Sequence, residues 1–219
     1  SGQTSMQIGI TSELIRPGLN MRYFIGLDLS PANKLALDSW REKSLPELPR
    51  VKMPLKTKAP VRQPRPVPAA NFHITLCFLG SVSPRQLEAV SECLAEVTSQ
   101  PFELSLDTTG FWSGPKIFYV GPEQVPEPLS ELAAKATAAA RQADIAVEKR
   151  DYQPHVTIIR NVKADFPPPL FPPSVVCQFS QFHLFESVST QSGVTYPIRQ
   201  SWPLRNTNSV REKLLRGNF

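Results

Sequence analysis

The stretch Phe72–Gly80, FHITLCFLG, has an echo at Gln153–Arg160, QPHVTIIR. Each copy holds His-x-Thr followed by an aliphatic residue, among β-branched and apolar neighbours that suit a strand. Successive side chains on a strand point to opposite faces. That alternation predicts His73, Thr75 and Cys77 on one face, with Phe72, Ile74, Leu76 and Phe78 on the other, against a core. In the second copy His155 and Thr157 share a face, and Val156 and Ile158 lie behind them. A single strand histidine is more often structural than catalytic. Here two of only three histidines occupy the same pattern, and repeated polar pairs on apolar strands conflict with packing unless the face lines a cleft.

The rest of the chain bounds what such a cleft can be. A length of 219 residues suits one compact domain of two lobes, or two small domains, and can bury a sizeable core. No apolar run approaches the roughly 20 residues that cross a bilayer, and the beginning lacks the charged-then-apolar pattern of a secretory signal. Residues 1–20 read as a tag and tail outside the fold, residues 21–205 as the domain, and residues 206–219 as a polar tail with a short helix through Val210, Leu214 and Leu215. Cys77, Cys93 and Cys177 are odd in number and widely spaced, which fits reduced thiols in a cytoplasm. A net charge of +5 and a pI near 9.2 suit an anionic partner.

Taken in order, Arg22–Leu29 reads as a strand, and Ser30-Pro31 caps a helix carrying Leu35, Leu37 and Trp40. An irregular, proline-rich run from Leu45 to Pro68 holds Arg50, Lys52, Lys56, Lys58, Arg62 and Arg65. It reads either as a solvated connector or as a basic flap on nucleic-acid phosphates. Ser83-Pro84 opens a helix with Gln86 completing a capping box and Leu87, Val90, Leu94 and Val97 on one face. Short strands follow at Phe102–Leu106, Thr109–Trp112 and Lys116–Val120, then an alanine-rich helix from Pro128 to Ala143. After the second motif and a proline-rich loop at Pro167–Pro173 come two strands, Val175–Ser187 and Val194–Leu204. The order predicts two related α+β halves, one before and one after Val120, whose motif strands converge on one cleft. The third histidine, His183, lacks the threonine and is expected near a sheet edge.

Imidazole titrates near 6.5, so one of two facing histidines can be neutral while the other is protonated. That supplies a general base and a general acid on opposite sides of a reacting atom. Threonine hydroxyls one pleat away can bond the oxygens of a bound anion. In-line displacement at phosphorus uses all of these groups and needs no metal or other cofactor. A metal site would want more ligands at the right spacing, and a Ser or Cys nucleophile would want an elbow motif that is missing here. Cys77 reads as a packing thiol.

HITL at His73–Leu76 followed by CFLG, and HVTI at His155–Ile158 followed by Ile159-Arg160, resemble the paired signature of the two-histidine phosphoesterases. Within that superfamily they are similar to the bacterial RNA 2′,3′-cyclic phosphodiesterases, also described as 2′-5′ RNA ligases. The opening MRYFIGLDL, the RPV before the first motif and the ending FHLFES…YPIRQSWPL extend the likeness from Met21 to Arg205. The resemblance implies a bilobal, pseudo-symmetric α+β fold with antiparallel sheets lining a central cleft and helices outside. It also implies hydrolysis of a terminal 2′,3′-cyclic phosphate on RNA, such as a tRNA fragment, or on a cyclic nucleotide, and reversible 2′-5′ ligation. The implied roles are His155 as base, His73 as acid, and Thr75, Thr157 and Arg160 on the phosphate, in a cytoplasmic monomer. A non-catalytic RNA-binding module and an exonuclease of the same superfamily are the competing expectations. By strict alternation Arg160 falls on the opposite pleat from His155, so it reaches the site only if the strand ends or bulges before it.

Overall fold

Strand β1, Arg22–Asp28, is buried along both faces from Tyr23 to Gly26 and Leu27, so it needs a partner on each edge and takes the middle of a sheet. The computed structural model, which describes residues 21–48 and 63–205, pairs it antiparallel with β3 (His73–Ser81) and with β9 (Gln181–Thr190). β10 (Gly193–Thr195) and β11 (Ile198–Pro203) both pair with β9 and complete a five-stranded sheet. A second sheet runs in the order β2 (Arg65–Pro66), β7 (Val156–Arg160), β6 (Ile117–Gly121), β5 (Thr108–Trp112). β4 (Phe102–Leu106) and β8 (Val175–Phe179) form a separate ribbon, each burying alternate residues.

Local chemistry accounts for the helices. In α1 (Pro31–Ser44) the Ser30 hydroxyl accepts from the Asn33 N–H, and Pro31 opens the first turn. In α2 (Pro84–Ala95) Ser83 and Gln86 make the reciprocal capping box expected from sequence. α3 (Glu127–Gln142) buries Ala133, Ala136, Ala139 and Ala140, small residues that let its backbone approach β3 and α2 closely. Among the described residues no helix is long and apolar enough to cross a membrane.

Several expectations change. The fold is α+β with antiparallel sheets, but the two sheets do not sort the strands by sequence half. The first sheet joins β1 and β3 to the C-terminal strands, and the second collects β2, β5, β6 and β7, because β1 and β9 are buried on both faces and pair with one another across the whole chain. The single strands expected at Val175–Ser187 and Val194–Leu204 are each two strands. Leu35 is 67% exposed: it sits two positions before Leu37, about 200° around the helix, while α1 buries Leu37 and Trp40. His183 lies inside the sheet, since β9 is paired on both edges. A two-residue strand, β2, occurs within the run expected to be irregular. The two terminal tails, the predicted tail helix among them, lie outside the described residues.

Both motif strands carry a bulge at the same place. On β3, Thr75 pairs with Gly26 and Cys77 with Ile25, so Leu76 is an extra residue. On β7, Thr157 pairs with Tyr119 and Ile159 with Phe118, so Ile158 is extra. One extra residue reverses the alternation downstream. Leu76 and Cys77 are consequently both buried and Phe78 is exposed, just as Ile158 and Ile159 are buried and Arg160 is exposed. Cys77 therefore does not share the face of His73; it turns toward Thr137 of α3, and burial pushes its thiol pKa up. Phe78, expected in the core, is 54% exposed.

Candidate active site

His73 begins β3, and the carbonyl of Asn71, two residues upstream, lies 2.7 Å from its Nδ1. His155 immediately precedes β7, and the carbonyl of Gln153, again two residues upstream, lies 2.9 Å from its Nδ1. A carbonyl only accepts, so each Nδ1 carries a proton and donates it. Among the described residues each Nε2 is then left without a hydrogen-bond partner, as an acceptor in the neutral ring and a donor in the cation. This is a tautomer choice made by backbone, and it is the same in both motifs.

The turn ahead of His73 is held from two sides. Lys34 donates to the Ala70 carbonyl at 3.0 Å while pairing with Asp28 at 2.8 Å, and Asn71 donates through Nδ2 to the Val194 carbonyl at 2.7 Å. Aromatic rings then wall each imidazole. Phe24 and Tyr196 have centroids 4.7 and 4.8 Å from His73; Trp112 and Tyr119 lie 4.5 and 5.6 Å from His155. Tyr119 also receives a hydrogen bond from Gln153 at 3.1 Å. Gly110 makes room for it, since a Cβ there would fall 2.3 Å from the phenol.

Electrostatics join the two motifs. Burial, helped by the positive charges of Arg160 and His155 and opposed by the Asn71 carbonyl and Asp28, lowers the pKa of His73 to about 4. Burial also lowers His155, with Arg150 and Arg160 adding to the effect and the Gln153 carbonyl opposing it. One guanidinium thus acts on both imidazoles, as the bulge at Ile158 permits. The two motifs are also bonded directly: Tyr152, in the lead-in to His155, donates to the Thr75 carbonyl at 3.2 Å, and Val67, which continues β2 toward His73, donates to the Ile158 carbonyl of β7 at 2.9 Å. Thr75 and Thr157 are half-buried, and within the described residues their hydroxyls have no protein partner.

Of the residues picked from sequence, His73, His155, Thr75, Thr157 and Arg160 come together. Arg65 lies directly across from Arg160 on β2. Lys52, Lys56, Lys58 and Arg62 lie outside the described residues. The Nδ1 of His183 lies 2.7 Å from the Ser201 hydroxyl, and its ring lies 5.7 Å from the centroid of Phe185, a phenyl that also borders His73. Sequence reasoning missed Phe78 and the aromatic walls, Trp112, Tyr119, Phe24 and Tyr196. The one available signal was that Phe78 and Arg160 each stand five residues after a motif histidine. Among the described residues no group of three or more His, Cys, Asp or Glu side chains could hold a metal ion.

Known proteins share this fold. The family model described as LigT-like phosphoesterase matches residues 42–119 and again residues 120–196, one match around each motif. The RNA 2′,3′-cyclic phosphodiesterase of Escherichia coli (strain K12) is 28% identical over 185 residues, 84% of this chain and 96% of that protein. The protein of the same name from Archaeoglobus fulgidus is 32% identical over 143 residues, 64% of this chain and 72% of that one. The crystal structure of E. coli LigT complexed with 3′-AMP superposes with a TM-score of 0.70 at 28% identity, covering 84% of this chain and 98% of that chain. With both motif strands inside matched segments and the same fold around them, the chain belongs to the LigT-like phosphoesterase family.

Proposed function

We propose that this protein hydrolyses the terminal 2′,3′-cyclic phosphate of RNA, or of a cyclic nucleotide, to a 2′-phosphomonoester. The observation that carries the reading is the pair of imidazoles with their Nδ1 protons held by backbone carbonyls and their Nε2 atoms without a partner among the described residues, under the influence of one shared guanidinium. His155 Nε2 takes a proton from water as the water oxygen bonds to phosphorus. The P–O3′ bond opposite breaks, and His73 Nε2–H protonates the departing O3′. Thr75 and Thr157 donate to the non-bridging oxygens, and Arg160 balances their charge.

The lowered pKa values make binding and protonation one event. In the unliganded protein His73 is neutral near pH 7; a phosphate anion beside it opposes the burial penalty, and Asp28, paired with His73 across β1 and β3, acts in the same sense. The anion thereby charges the acid that will protonate its own leaving group. Phe78 and the rings beside each histidine offer apolar faces for a base. Arg65, with Lys52, Lys56, Lys58 and Arg62, contacts phosphates of a longer RNA. The working form is a monomer in the cytoplasm, and the reverse step, 2′-5′ ligation, uses the same groups.

The test is incubation of the purified chain with a 2′,3′-cyclic nucleotide in chelator. A 2′-monophosphate product is expected. No product, a 3′-monophosphate, or dependence on added metal overturns the reading; binding without turnover favours a binding module, and shortening of linear RNA favours an exonuclease.

A further inference from the structure

Arg41 is a charged side chain in an unlikely place. Its side chain is only 12% exposed, on the inner face of α1, where an apolar residue would avoid the cost of desolvating a cation. Its donors go to backbone carbonyls as well as to a carboxylate. Nη1 donates to the Ile158 carbonyl at 2.9 Å and to the Val67 carbonyl at 2.6 Å, while Nη2 bonds Asp38. The guanidinium carbon lies 5.2 Å over the ring of Phe72, the residue before His73.

Ile158 is the extra residue of the β7 bulge. It is fully buried, so water cannot satisfy its carbonyl, and an unpaired buried carbonyl is costly. The adjacent strand offers little: Pro66, opposite Ile159, has no N–H, and the Val67 N–H fills one lone pair. Arg41 fills the other, and by bonding the Val67 carbonyl with the same nitrogen it clamps β2 to β7 at the bulge. The bulge is what turns Arg160 to the face of His155 and Thr157. We propose that Arg41 is a positioning residue: its guanidinium holds the Ile158 carbonyl, and through that bulge it holds Arg160 toward the bound phosphate.

This inference rests on Arg160 contacting the substrate phosphate, as proposed above, and the experiment separates the two. Arg41→Gln, Arg41→Lys, Arg160→Ala and the double variant Arg41→Gln/Arg160→Ala are compared for KM and kcat on a 2′,3′-cyclic mononucleotide, affinity for inorganic phosphate, and Tm. Arg160→Ala is expected to raise KM and weaken phosphate on the order of tenfold, the scale of one charged hydrogen bond. Arg41→Gln is expected to reproduce most of that loss in a folded protein and to add little once Arg160 is gone. Arg41→Lys, which keeps the charge over Phe72 but cannot span both carbonyls, should recover part of it. A role confined to stability would lower Tm and leave KM alone. Should Arg41→Gln fail to fold, Arg41→Lys carries the same comparison. If Arg160→Ala weakens phosphate while the Arg41 variants do not, or if the two losses multiply in the double variant, the positioning role is overturned and the reading of Arg160 stands. If Arg160→Ala changes neither KM nor phosphate affinity, the reading of Arg160 falls and the positioning role falls with it.

Discussion

Replacing His73 by Asn, which keeps a donor for the Asn71 carbonyl but cannot titrate, should change how stability depends on pH. Burial holds the His73 pKa at about 4 in the folded protein, against about 6.5 for a free imidazole. Between those values the unfolded chain binds a proton that the folded chain refuses, so stability falls as pH drops. This contribution is fully present above about pH 6.5, shrinks by about 1.4 kcal/mol per pH unit below it, and is exhausted near pH 4. The span of about 2.5 units corresponds to about 3 kcal/mol, a large share of the 5–15 kcal/mol typical of a domain. His155 and His183 are lowered by burial as well and add in the same sense, but they remain in the variant and cancel in the comparison. Urea unfolding of both proteins at half-unit steps from pH 7.5 to pH 4 should therefore show the wild type losing about 3 kcal/mol more than His73→Asn, nearly all of it below pH 6.5. Parallel curves, or an NMR titration of His73 centred near 6.5 in the folded protein, would refute the argument.

Three other outcomes follow from the same geometry. His73→Asn and His155→Asn should each lower kcat on a cyclic mononucleotide by on the order of 10²–10⁴-fold, and the double variant should lose little more, because the two rings act in one step; steady-state rates in chelator check this. Gly110→Ala puts a Cβ where the Tyr119 ring now lies, so it should displace the ring from His155 and cut turnover while far-ultraviolet circular dichroism is unchanged; full activity would show that this wall is dispensable. Tyr152→Phe removes the hydrogen bond to the Thr75 carbonyl and should cost about 1 kcal/mol in urea unfolding, an effect absent if the two motifs are held apart from that bond.

The repeated His-x-Thr, the capping box at Ser83 and Gln86, and the alternation of Phe102–Leu106 are local patterns, and the chemistry they announce could be read without coordinates. A strand's period of two places His73 with Thr75 and His155 with Thr157, and antiparallel α+β order follows from short strands between amphipathic helices. What the chain order could not supply was the pairing of β1 with β9 across about 160 residues, since two strands that are buried on both faces do not name their neighbours. Nor could alternation alone place Cys77, Phe78 and Arg160. Their faces depend on one extra residue in each motif strand, and that residue exists only relative to the register of the partner strand. Tertiary structure decided it through the Tyr152 hydroxyl on Thr75 and the Val67 amide and Arg41 guanidinium on Ile158, long-range bonds that keep two bulges which a flat strand pair would lack. The two histidines were picked from a repeated pattern of side-chain types; Arg160 was picked by resemblance, on the condition of a bulge that only the register of β7 against β6 supplies.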